Sequence, residues 1–164
     1  MSAPDRLTAA IKDHNERQAE ANRKAAADKQ QLESETHRQH VNRTQWLAKR
    51  ALLANGVTML SNRAAQSGSG LIFVPIPEGR ASPHPRDTRH LVAPVPPLFF
   101  DVRKSGDTNM QARLQFSMDV ITGKVTASCS IDGVALLAAI DIFDLKPEWA
   151  AEAAENVLVA APGK

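Results

Sequence analysis

Cysteine occurs once in the 164 residues, at Cys129, which excludes an intramolecular disulfide and any multi-cysteine zinc or iron–sulfur centre within one chain. Tyrosine is absent. The aromatics are Phe73, Phe99, Phe100, Phe116, Phe143, Trp46 and Trp149, and six of these seven lie beyond residue 70. Hydrophobic residues make up 43% of the chain, but much of that is alanine, so a core has few large side chains to draw on. This suits one domain, or one small domain with an appendage. No stretch approaches the roughly 18 consecutive apolar residues of a membrane span, and the first residues lack the apolar run of a signal peptide. The expectation is a soluble, cytoplasmic protein without membrane contact.

Proline is missing from Arg6 to about Ala65, and Gly56 is the one glycine there, while Ala, Gln, Glu, Lys and Arg dominate. That composition predicts a helical arm over residues 1–66. A continuous helix of this size would run roughly 90 Å, more than a small domain can cover, so part must project, fold back or pair with another chain. Asn55-Gly56 is the predicted break, because glycine readily takes the left-handed conformation that ends helices. Leu7, Ile11, His14, Gln18, Ala21, Ala25, Asp28 and Leu32 fall at alternating four- and three-residue spacing. The register is heptad-like but poor in large apolar residues. The seam improves at Trp46, Leu53, Val57 and Leu60, which predicts that this end packs on a globular part.

Residues 67–97 read as a connection: Ser67, Gly68, Ser69 and Gly70 open it, and seven of the ten prolines lie between 75 and 97. Short edge strands are expected at Leu71 to Val74 and Leu98 to Val102. Residues 98–160 then hold an antiparallel meander and a C-terminal helix. In the meander, Leu114, Phe116, Met118 and Val120 alternate with polar residues, as do Val125, Ala127, Cys129 and Ile131. Period-two alternation marks half-buried strands. A two-residue turn at Thr122-Gly123 predicts Phe116 opposite Cys129 and Arg113 beside Asp132. Asp132-Gly133 predicts a second hairpin that pairs Cys129 with Leu136, Ala127 with Ala138, Val125 with Ile140 and Lys124 with Asp141. Pro147 opens the helix, with Trp149, Ala153, Val157 and Ala160 as its buried stripe. The fold class is therefore α+β.

No sequence feature carries catalytic chemistry, and we expect neither an enzyme nor a bound cofactor. Glu33, His37 and His40 share a helical face at i, i+4 and i+7, but the His-Glu-x-x-His pattern of zinc proteases is absent. They read as a solvated polar face without a metal. Cys129 is expected to be buried and inert. Net charge is +2, with 11 Lys and Arg against 7 Asp and Glu in residues 1–66 and 9 against 11 in the rest. Arg80, Arg86 and Arg89 give the proline-rich loop positive charge that could hold an anion or an acidic partner. Trp46 joins them as a candidate contact. The functional expectation is a protein–protein interaction or assembly protein that uses its arm as a coiled coil, by oligomerisation or with another protein. The alternative is a nucleic-acid-associated protein using the basic arm and loop.

Overall fold

In the computed structural model, which describes residues 3–77, 95–129 and 135–160, the N-terminal stretch, free of proline beyond Pro4, forms a single helix, α1 (Ala3–Gln66). It is followed by β1 (Leu71–Pro75), β2 (Leu98–Lys104), β3 (Met110–Met118), β4 (Lys124–Cys129), β5 (Ile140–Asp141), a 3-10 turn (Ile142–Asp144) and α2 (Pro147–Ala160). The five strands make one antiparallel sheet in sequential order, and α2 packs on it. This is the α+β class expected.

Two compact units divide the chain at His40 and Val41. In the first, residues 3–40, α1 is stabilised along its surface by i,i+4 pairs such as Arg17 with Asp13 at 2.7 Å. Such exposed pairs contribute about 0.3–0.5 kcal/mol each. In the second, the core begins inside α1: Asn42, Trp46, Leu53 and Val57 are buried, and Leu60 packs against them. The spacing of these residues puts them on one helical face, as the improving seam predicts.

The expected break at Asn55-Gly56 does not occur, because α1 runs through both residues. Gly56 serves a different purpose. A Cβ there would collide with the carbonyl oxygen of Pro147 and sit 3.0 Å from the Ala150 Cβ, so glycine permits the close approach of α2. A glycine inside a helix costs roughly 1 kcal/mol relative to alanine, and that approach offsets it. Pro147 and Ala150 lie far away in the chain, which is why the local sequence suggests a stop.

Strands form at both expected places and pair with each other, Phe73 opposite Val102 and Pro75 opposite Phe100, but only β1 is an edge strand, since β2 also pairs with β3. The strand alternation also holds. Phe100, Val102, Ala112, Leu114, Phe116, Met118, Val125, Ala127 and Cys129 share the inner face and are buried. Phe116 packs edge-on against Phe100 at 6.2 Å between centroids and meets Trp149 of α2 at 5.9 Å. Burying side chains of this size stabilises by roughly 1.5–3 kcal/mol each.

The β3–β4 register differs from expectation by two residues: Phe116 faces Ala127, and Cys129 faces Leu114. The Thr122-Gly123 turn is a longer loop, closed by the Gly123 amide donating to the Asp119 carbonyl at 2.8 Å. The Asp119 carboxylate accepts from the Ile121 amide and the Thr122 hydroxyl, and Gly123 has φ +70°. From α1, Asn42 Nδ2 donates to the Val120 carbonyl at 2.9 Å, fixing the loop to the helix.

The expected third strand is also corrected. Lys124 faces Asp141 and Val125 faces Ile140 as predicted, with a Lys124–Asp141 pair at 3.8 Å. Further along, Ala135 bridges Ser128, a place the regular register gives to Leu137. Two extra residues are therefore accommodated between the two ends, and Ala138 and Ala139 are exposed. Asn156 of α2 donates to the Leu136 carbonyl at 3.0 Å and anchors this irregular segment. Asp132-Gly133 lies outside the described residues.

On α2, Ala150, Ala153, Ala154 and Val157 are buried. Trp149 is half-buried, and Ala160 is exposed rather than part of the stripe.

Candidate functional site

Among the described residues, those singled out from sequence do not form one site. Trp46 is fully buried, and its Nε1 donates to the Pro96 carbonyl at 3.1 Å. It is a core residue, not a partner contact: its indole fills the space between helix and sheet, and its one donor is already satisfied. Arg80, Arg86 and Arg89 lie outside the described residues. Glu33 and His37 are exposed on α1, with Glu33 3.9 Å from Lys29. Among the described residues, no group of three or more His, Cys, Asp or Glu side chains could hold a metal ion. No helix among them is long and apolar enough to cross a membrane. Cys129 is buried on the inner sheet face.

The first unit presents a different surface. Every residue from 4 to 34 is exposed, including Leu7 at 64%, Ile11 at 52% and Leu32 at 64%. Residues 1–40 carry seven Lys and Arg against seven Asp and Glu, so all of the arm's +4 falls in residues 41–66. The cations there are Arg43, Lys49, Arg50 and Arg63, with no acidic residue among them. Lys49 acts structurally, since its Nζ donates to the carbonyls of Ile142 and Phe143 at 2.7 and 2.8 Å and so caps the 3-10 turn. Burial lowers the pKa of Arg50.

A buried ionic cluster on the sheet's outer face has no counterpart among the sequence-derived candidates. Asp101, only 4% exposed, accepts from Arg113 Nε at 2.7 Å and from Arg103 Nη2 at 2.8 Å. Burial pushes its carboxyl pKa up. The hydrogen bonds and charges of Arg113 and Arg103 outweigh that and hold it below the usual carboxylate range. Arg113 also lies over the Phe99 ring, 5.8 Å from the centroid. The available signal is an aspartate inside the apolar strand Leu98 to Val102. Arg113 is set opposite it by the β2–β3 register, whereas the sequence pairs Arg113 only across the β3–β4 turn, with Asp132. With both carboxylate oxygens engaged by guanidinium groups, the cluster supplies no free base or nucleophile, and its chemistry is structural.

A shallow groove of about 220 Å³ lies between Met59, Leu60 and Arg63 of α1 and Pro147, Ala151 and the exposed Glu148, Glu152 and Glu155 of α2. It holds no histidine or thiol and presents no acid–base pair. The longest exposed stretch among the described residues is the helix over residues 4–34.

No protein-family model, no curated protein and no solved structure matches this chain.

Proposed function

We propose that the chain is a non-enzymatic interaction or assembly protein whose docking element is the N-terminal part of α1, residues 3–40. The observation that supports this reading is the uninterrupted exposure of residues 4–34 in a regular helix. Most helical stability in proteins comes from packing an amphipathic face. A helix of this length with Leu7, Ile11 and Leu32 uncovered gains most from a partner that covers them. Residues 41–164 serve as the scaffold, with their own core.

Affinity capture with the full chain and with residues 41–164 tests the proposal, alongside sedimentation of both. Proteins retained by the full chain alone, or self-association lost with residues 1–40, are the expected results. Partners retained equally by both forms contradict it. The cut falls before Val41 because Asn42 and Trp46 belong to the scaffold core. The nucleic-acid alternative draws on the basic arm and loop, and retention of DNA or RNA at low salt separates it from the main reading.

A further inference from the structure

Coiled-coil partners are chosen largely by the residues that flank the seam, the e and g positions. With Leu7 at d and Ile11 at a, the seam of residues 7–39 continues through Ala21, Ala25 and Leu32. Its flanks are then all cationic or uncharged: Arg17, Lys24 and Arg38 fall at g, Lys29 at e, and no acidic residue occupies either position. Of the seven acids in residues 1–40, five sit on the outer b, c and f positions, and Asp28 and Glu35 lie on the seam itself.

A second copy is a poor partner for such a surface. Paired in parallel and in register, it would put Lys24 against Lys29 and Asp28 against Asp28, with no opposite-charge flank pair anywhere. An antiparallel pairing also brings cationic flanks together. Arg17 and Lys29 have intrahelical partners in Asp13 and Glu33, but all four side chains are more than half exposed, so those pairs are weak and exchangeable.

Resting on the docking role of residues 3–40, we infer that residues 7–39 pair with an amphipathic helix of a different protein, one whose seam is flanked by acidic residues. The recognition is ionic at the flanks and apolar at Leu7, Ile11 and Leu32. Small residues at Ala21 and Ala25 let the two backbones approach closely.

The test uses the full chain and two synthetic helical peptides of about four heptads that share one leucine-rich seam. One carries glutamate at every e and g position, the other lysine. Fluorescence anisotropy at low and near-physiological salt is expected to show the glutamate peptide binding at least about tenfold more tightly, with the gap narrowing as salt rises. The combined Arg17→Glu, Lys24→Glu, Lys29→Glu and Arg38→Glu variant should reverse the preference, provided circular dichroism shows its helix content retained. Arg6→Glu with Lys12→Glu and Arg23→Glu, all off the flanks, should preserve it. Equal binding of the two peptides overturns the inference but leaves the docking role standing. So does a full-chain dimer by sedimentation that the flank variant does not alter. Binding of neither peptide by a monomeric chain removes the inference and the docking role together.

Discussion

The two parts of α1 share one helix and one heptad-like spacing, yet their side chains have opposite fates. In residues 41–66 the repeating positions hold Asn42, Trp46, Leu53 and Val57, all buried. In residues 3–40 the same spacing is filled by Leu7, Ile11, small residues and polar ones, and the helix is solvent-exposed over residues 4–34. Helical propensity is high in both. What separates them is the size of the apolar residues on one face, and therefore whether a core can form against that face.

Substitutions on either side of Val41 put this contrast at risk. Trp46→Ala should have the largest effect, about 3–5 kcal/mol, by emptying a filled core position and removing the donor to the Pro96 carbonyl. Urea denaturation measures it; a loss below about 1 kcal/mol would mean that this part of α1 is not core. Gly56→Ala should cost roughly 1–3 kcal/mol, because the added methyl meets the Pro147 carbonyl. On an uncovered helix the same change would stabilise, so the sign alone decides whether α2 approaches there.

Asp101→Asn acts within the scaffold and mainly in acid. The folded-state pKa of Asp101 lies below its ordinary value of 3.8, so its contribution is present above that pH and is lost as pH falls through the folded value. Stability measured from about pH 5 down to pH 2 should fall less steeply in the variant than in the parent protein. Identical slopes would contradict the ion-pair assignment. Leu32→Ala should change the stability of the isolated protein by less than about 0.5 kcal/mol, the ordinary result at an exposed site. A larger loss would show that residues 3–40 are already covered.

Much of the fold is legible in the sequence because it depends on local pattern. Alternation identifies the inner faces of β3 and β4, proline identifies the start of α2, and large apolar spacing finds the buried face of α1. The β3–β4 offset is not legible by that route, since a shift of two residues keeps every side chain on its own face. It is decided by Asp119 folding its carboxylate back onto the loop and by Asn42 reaching in from α1. Gly56 misleads for the same reason: its role depends on Pro147 and Ala150, which no local window contains. The irregular stretch before β5 follows from Ala135 pairing with Ser128, again a tertiary choice. For the site, exposure of residues 4–34 is foreseeable from their composition. The spacing of Trp46 marks it as a packing residue, and its burial rules out the binding role its size and amphipathic ring suggest. Asp101 is readable as an oddity within a strand and Arg103 is its neighbour two residues on, but its partner Arg113 comes from the β2–β3 register.

The most direct test is hydrogen–deuterium exchange along α1 in the dilute full chain, alone and with the glutamate-flanked peptide. Slow exchange is expected within residues 41–66 under both conditions. Residues 3–40 should exchange fast in the chain alone and become protected once the peptide is added. Uniform protection along the whole helix in the isolated chain, or peptide-induced protection confined to residues 41–66, would contradict the division of α1 into core and docking parts.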